Sequence, residues 1–347
     1  MARWFEEVRQ IKGDNYISSR VRLARNWSEY AFPEKLSVKE ATEMIGRLQY
    51  GLSDIGKSEN EVFHTVTLDK LSETDRMELR ERRILNLNTA QAKRPVGLMI
   101  SEAEDISLIF NGDDHIRIQM LAPGNGLENL YSRADRLDDT INSHFPYAFD
   151  EKYGYLTSYP TNVGTGMRAN AVLHLPSLSQ GTQFENLIEG MTRFGVTIKG
   201  VYGKGRENYG SLYDISNSKT LGISEKEIIN IVSNVAAQLN RQENQTREKL
   251  LETEAGRIRD EVFKSYGVLR YARRLSLKDA LIYLSKVMTG IADEIIEPVV
   301  PTGIYRLMLG IQPANLLKIA QRPLNKDEME SIRAEYVREK LPEIKEG

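Results

Sequence analysis

The chain reads as an α+β protein, a mostly antiparallel sheet flanked by helices, with a helical domain at its C-terminus. Three features point there. Apolar strand-like runs follow one another with short connections between residues 96 and 121, amphipathic helical patterns are interspersed among the strands, and from Ser224 onward only helical periodicity remains. Taken in order, Ser18-Ser19-Arg20-Val21-Arg22-Leu23-Ala24-Arg25 alternates arginine with apolar residues as a strand does, so Arg20 and Arg22 share a face. Residues 96–109 read as two apolar strands around an acidic turn, a hairpin, and 116–121 as a third strand. Over 127–144, Leu127, Leu130, Ala134, Leu137 and Ile141 recur at spacings of three and four, an amphipathic helix. Phe184 to Phe194 repeats the pattern and stops at Gly195. Val196–Val201 and Ser211–Ile215 read as strands flanking the polar loop KGRENYG. Beyond Ser224, Ile228, Ile229, Val232, Val235, Ala236 and Leu239 mark one helix face, and a highly charged stretch continues it as a solvated helix bridging to a second unit. Residues 260–347 stay helical, suited to packing, dimerisation or peptide binding. The expected division is a first domain over residues 1–245 and a helical domain over 246–347.

Composition narrows the function. The 347 residues leave room for two domains and a sizeable core, and 40% apolar with 28% charged residues is the balance of a soluble globular protein. The start, MARWFEEVRQ, shows no signal peptide and no apolar run is long enough to span a membrane, so a cytoplasmic location is expected. Lys and Arg number 47 against 49 Asp and Glu, a net charge of −2 that argues against bulk attraction to nucleic acid or anionic lipid. An anion site must therefore be a local cluster of arginines. The absence of cysteine removes disulfides, thiolate metal sites and a Cys nucleophile. His64, His115, His144 and His174 show no metal-ligand spacing, and no metal site is assigned.

The chemistry gathers in four segments. GYLTSYPTNVGTGMRANAVLHLP, residues 154–176, places Gly164 and Gly166 just before Arg168 and then turns apolar. Such glycines let backbone approach a ligand, and free N–H groups beside an arginine cradle anions, although alone the loop is as readily an ordinary turn. Arg20 and Arg22 side by side repel unless an anion joins them, whereas Arg25 need not share their face. Asp113-Asp114-His115-Ile116-Arg117 sets a carboxylate pair before another arginine. Four arginines, only Arg117 of them with acids close by in sequence, suit a polyphosphate better than an ion-pair network, though each singly reads as a surface or salt-bridged residue. Lys204-Gly205-Arg206-Glu207-Asn208 forms a flexible loop, where a lone Glu is usually solvated.

SSRVRLARN, DDHIRIQ, YPTNVGTGMRA and YGKGRENYG with the following ISN occur in the order and spacing of the ATP:guanido phosphotransferases. The resemblance covers nearly the whole chain. The early first arginine motif and the extra C-terminal domain are most similar to the bacterial protein-arginine kinases; creatine and arginine kinases carry a helical domain before that motif. The resemblance implies the phosphagen kinase catalytic fold, Mg²⁺ and ATP, and transfer of the γ-phosphate to protein arginine side chains. In the family such marks direct proteins to an AAA+ protease or silence a stress repressor. It also implies a possible activator protein and a homodimer. Carried over, Arg20, Arg22, Arg117 and Arg168 grip the ATP phosphates, with Ser19 and Arg83 near the nucleotide. Thr165, Arg168, Ala169 and Asn170 belong to the nucleotide loop, and Gly203, Gly205 and Arg206 to the loop that closes over the site. Asp113 and Glu207 hold and deprotonate the acceptor guanidinium, Glu207 as the general base.

The chain departs from the family on the acceptor side. Position 113 is usually Glu and here Asp, one methylene shorter; position 159 is usually Cys and here the bulkier Tyr159. Arg83 replaces a usual His. The phosphoarginine-sensing motif Arg-Asp-x-x-Arg-Ala aligns with Met329-Glu330-Ser331-Ile332-Arg333-Ala334, and only its second half remains. Two other readings are a pseudokinase that binds nucleotide or arginine peptide, and a small-metabolite guanidino kinase.

Overall fold

The computed structural model describes residues 2–345, apart from the side chains of Ser58 and Arg206. Among the described residues ten strands are present: β1 Tyr16–Arg25, β2 Phe63–Thr67, β3 Gly97–Ser101, β4 Ile106–Phe110, β5 Ile116–Pro123, the short β6 Phe149–Asp150 and β7 Gly154–Tyr155, then β8 Met167–His174, β9 Val196–Gly200 and β10 Leu212–Asn217. Eight of them form one antiparallel sheet in the order β2-β3-β4-β5-β1-β8-β10-β9. The expected strands are all in it, and β1 lies near the middle, paired to β5 on one side and β8 on the other.

Register divides the sheet into two faces. Arg22 stands opposite both Gln119 and Arg168, Arg20 opposite Asn170, Ala24 opposite Arg117, and Ser216 opposite Asn170. Directly paired residues point the same way, so these polar side chains share one face. The residues between them (Val21, Leu23, Ile116, Ile118, Met167, Ala169, Ala171, Ile215) face the other way and are fully buried in the main core. Helices α1 Val38–Gly51, α5 Leu127–His144 and the start of α7 Glu225–Tyr271 close that core. The helix face expected from Ile228 to Leu239 is buried as read.

The arginine face is covered only in part. Under β3 and β4, Ile84, Leu85, Leu98 and Ile109 pack beneath α3 Glu73–Glu81 and α4 Leu87–Ala90. At the other end, Leu121, Val172 and Leu212 join a second core with Trp4, Phe5 and Val8 and with helices of the C-terminal region. Those are α8 Leu277–Ala292, α9 Tyr305–Gly310, α10 Pro313–Ala320 and α11 Lys326–Lys340, completing a set with the short α2 Ile55–Glu59 and α6 Phe184–Thr192. The bridging helix is α7, 47 residues long with a non-helical break at Glu254, so residue 245 falls inside it. Between the two covers lies a basin floored by half-buried arginines.

Candidate active site

The basin is built by strand alternation. β1 supplies Arg20 and Arg22, β5 supplies Arg117 and Gln119, β8 supplies Arg168 and Asn170, and β10 supplies Asp214. Arg20 lies 3.4 Å and Arg83 3.7 Å from the same Asp214 oxygen. Asn170 donates to the other Asp214 oxygen at 2.6 Å and accepts from Arg22 at 3.2 Å. Arg117 donates to the Ile84 carbonyl at 3.0 Å. Arg168 is tied to the Thr161 carbonyl at 3.0 Å and the Asn162 side chain at 3.3 Å, which fixes it against its own loop.

Asp214 pairs with Arg20 and Arg83, and Asp113 and Asp114 act on Arg117, which leaves five arginines with more positive charge than these acids match. Burial pushes the Arg20 guanidinium down to about 9, with Arg22 beside it adding to the effect and Asp214 opposing it. Burial, then Arg117, lowers Arg22 to about 10, and burial lowers Arg117 to about 10 against the pull of Asp113. Arg168 is lowered by burial alone. Burial acts on Arg83 too, but Tyr305, Asp214 and Tyr202 outweigh it and hold its pKa above the ordinary value. The Nε–H groups of Arg20, Arg22 and Arg117 are buried with no hydrogen-bond acceptor among the described residues. A buried donor left unmade costs about 1–3 kcal/mol. Phosphate oxygens would match the surplus charge.

Several residues expected near the nucleotide make framework contacts. Ser19 points to the opposite face, fully buried, donating to the Gly124 carbonyl at 2.8 Å and accepting from the Gly126 N–H at 2.9 Å. Period-2 alternation puts it there because Arg20 faces the basin. Ala169 sits in the main core, its N–H bonded to the Asn217 side chain. Thr165 is buried with its hydroxyl on the Thr220 carbonyl. The glycine loop is packed closely against neighbouring backbone. A Cβ on Gly164 would lie 2.2 Å from the Thr220 oxygen, and one on Gly166 2.6 Å from the Ala24 oxygen. The N–H groups of Gly164 and Thr165 are bonded to the Tyr155 and Thr220 carbonyls. The glycines thus permit close backbone packing that seats Arg168.

The two acceptor-side acids are not together. Asp113 is at the β4–β5 turn, beside the end of β1 that carries Arg25. Its neighbour Asp114 is buried and structural, accepting from Asn26 at 2.8 Å and the Ser158 N–H at 2.6 Å. The loop 201–210 leaves β9 at the other ends of the strands, where Gly200 pairs with Tyr213. There Glu207 is exposed, Gly203 and Gly205 both have positive φ, and the Arg206 side chain lies outside the described residues. Lys278 of α8 sits 4.9 Å over the Tyr209 ring, holding the loop base to the helical region. Tyr159 is 43% exposed, so its ring does not fill a closed pocket. Arg25 is buried outside the basin, paired with Asp138 at 2.7 Å and lying 3.6 Å from the Tyr155 ring centre.

Sequence reading missed Asp214, Gln119, Asn86, Tyr202 and Tyr305. Asp214 and Gln119 carried a usable signal, because each alternates in phase with residues facing the basin. Arg333, from the half-retained motif, is buried and donates to the Ile311 and Leu275 carbonyls at 3.1 and 3.0 Å.

Comparison with known proteins agrees with the geometry. Residues 47–246 match the ATP:guanido phosphotransferase C-terminal catalytic domain, and residues 255–347 match the protein-arginine kinase McsB C-terminal domain. The protein-arginine kinase of Clostridium tetani is 36% identical over 328 residues, 94% of this chain and 95% of that one. That of Syntrophomonas wolfei is 35% identical, covering 99% of this chain and 96% of its own. Among solved structures, the taurocyamine kinase of Schistosoma mansoni superposes on 74% of this chain and 39% of its own, with a TM-score of 0.60 at 20% identity. A lombricine kinase superposes on 73% of this chain and 72% of its own, with a TM-score of 0.58 at 20% identity. These two likenesses establish the fold.

Proposed function

The chain belongs to the ATP:guanido phosphotransferase family, and from that membership we propose that it is a protein-arginine kinase, moving the γ-phosphoryl group of ATP to arginine side chains of proteins. The observation that carries the nucleotide half is the gathering of Arg20, Arg22, Arg83, Arg117 and Arg168 on one sheet face, with Arg20 and Arg83 sharing a single oxygen of Asp214. Phosphoryl transfer asks mainly for positioning and for neutralisation of charge on the moving group. Fixed arginines in a partly dry basin provide both.

Among the described residues no group of three or more His, Cys, Asp or Glu is placed to hold a metal ion. Mg²⁺ would therefore arrive on the nucleotide phosphates, where it adds charge neutralisation. Asp114 is committed to the fold, which leaves Asp113 to receive the acceptor guanidinium. A charged guanidinium is a poor nucleophile, and two carboxylates can hold its fork and accept a proton. As the bond from the γ-phosphorus to the bridging oxygen breaks and the N–P bond forms, the proton leaves to the Glu207 carboxylate. Glu207 lies at the opposite strand ends, so loop 201–210 must fold over the basin before transfer, a closure its paired glycines permit.

Incubation with Mg·ATP and casein, read by acid-labile label and phosphoarginine mass spectrometry, tests this. We expect phosphoarginine that disappears in Glu207→Ala. ATP binding with no product in either protein would instead support a binding module, and transfer to free arginine but not to protein would support a metabolite kinase.

A further inference from the structure

We propose that Asn86 is a positioning residue that aims the Asp113 carboxylate at the acceptor guanidinium; the inference rests on the reading of Asp113 given above. Asn86 uses both ends of its amide. Its oxygen accepts from the Thr89 N–H at 2.8 Å as the N-cap of α4, and its Nδ2 donates to Asp113 Oδ2 at 2.6 Å. The cap fixes which way the amide points, since only the oxygen can accept from a backbone N–H. The donor end is thereby locked onto the carboxylate.

The surrounding contacts make this a rigid mount. In the four residues ending at Asn86, the Arg83 side chain approaches Asp214, the Arg83 carbonyl accepts from Gln119 at 3.0 Å, and the Ile84 carbonyl accepts from Arg117 at 3.0 Å. Arg83 itself holds φ at 68°, a left-handed conformation that is costly outside glycine. Opposite, the turn bearing Asp113 is fastened where Arg94 donates to the Gly112 carbonyl and Asn111 donates to the Pro95 carbonyl at 2.7 Å. Both sides of the Asn86–Asp113 contact are therefore held, and one segment registers the acceptor acid against the phosphate arginines.

The chemistry of the donor matters as much as its place. A neutral amide holds one carboxylate oxygen without cancelling its charge, and Oδ1 is left to accept from the incoming guanidinium. An arginine or lysine at this position would orient Asp113 but compete for the same charge. The arrangement also suits the short side chain at 113, because Asp113 has one torsion fewer than Glu and a single hydrogen bond suffices to fix it.

Asn86→Ser tests this, since serine is as good an N-cap but is too short to replace the amide donor. We expect an unchanged Tm, an unchanged KM for ATP, and kcat/KM for an arginine peptide reduced about tenfold to a hundredfold, as for an ångström-scale misplacement. Asp113→Glu in the wild-type background should also be impaired, because the longer carboxylate meets the fixed amide. The double variant should be less impaired than the product of the two single losses. Wild-type turnover reports on the kinase reading, and the variant-to-wild-type ratio reports on Asn86. Should the wild type make no phosphoarginine, calorimetric binding of the same peptide takes the place of turnover, with the same tenfold loss expected. A ratio within twofold of unity, equal binding, or binding to neither protein overturns the proposal, as does a loss shared equally with ATP.

Discussion

Arginines on one strand do opposite jobs, and their partners distinguish them. Arg25 lies over Tyr155 and is bonded through Nε and Nη2 to Asp138 at 2.9 and 2.7 Å, a buried ion pair whose breakage leaves an uncompensated charge. Arg22 has a single neutral acceptor, Asn170, and is crowded by Arg117, Arg168 and Arg83. It is held for a ligand at the expense of the free protein. Arg22→Gln should therefore weaken ATP binding about tenfold to a hundredfold, the range for a hydrogen bond to a charged group. In the nucleotide-free protein the same substitution should leave Tm equal or higher, because it relieves like-charge crowding. Differential scanning fluorimetry with and without ATP reads both quantities, and Arg25→Gln, which should lower the nucleotide-free Tm, serves as the contrast. If Arg22→Gln lowers the nucleotide-free Tm as Arg25→Gln does, Arg22 is structural and the basin has been misread. The pairing of Arg20 with Arg22 was legible in the sequence, because alternation in a strand is a local property. That Arg25 need not share their face was legible too, but its partner was not, because Asp138 lies 113 residues away.

Elements with strong periodicity were the legible ones. The strands flanking residue 100, the helix over 127–144 and the face from Ile228 to Leu239 each sort apolar side chains at a single spacing, and each was found. Residues 26–95 were silent, although they hold α1, α3 and α4 and the edge strand β2. Edge strand Phe63–Thr67 is not deeply buried on either side, so it shows no alternation, and α4 is a single turn. Asn86 belongs to that silent stretch, which is why the mount of Asp113 could not be read from sequence. The glycine loop stayed open between turn and ligand site for a related reason: sequence shows that φ is free but not what the backbone approaches. The contacts favour the turn. Gly164 has φ of 111° and its missing Cβ faces backbone, not a flexible side chain. Gly164→Ala should cost more than about 2 kcal/mol in denaturant unfolding, from strain at positive φ and a clash that only main-chain movement can relieve. A loss of ATP affinity at unchanged stability would return the glycine to the ligand.

The molecule is joined across its two ends of sequence. Trp4, Phe5 and Val8, the sheet residues Leu121, Val172 and Leu212, and C-terminal residues from Val262 to Leu341 form one continuous core. Tyr305 of α9 is buried within it, and its hydroxyl, without a hydrogen-bond partner, is close enough to Arg83 and Arg20 to influence both. The helical region is therefore a wall of the basin as well as a neighbour of it. At the same seam His174 of β8 is buried and hydrogen-bonded through Nε2 to Ser285 of α8 at 2.7 Å. Burial, helped by Arg247, pushes its pKa from the ordinary 6.5 down to about 3. A depressed histidine is neutral in the folded protein but protonates in the unfolded chain below pH 6.5. Stability from this group is thus full above that pH and is lost as pH falls toward 3, at up to about 1.4 kcal/mol per unit. Buried carboxylates with raised pKa, such as Asp138 and Glu243, act in the opposite direction over part of the range. The seam is therefore isolated by comparison: between pH 7 and 4.5 the wild type should lose about 2 to 3 kcal/mol more than His174→Gln, which cannot titrate. Urea unfolding at several pH values measures the difference. Parallel pH curves for the two proteins would mean that His174 takes up its proton in the folded state, and that the seam between sheet and helices opens to water well before the chain unfolds.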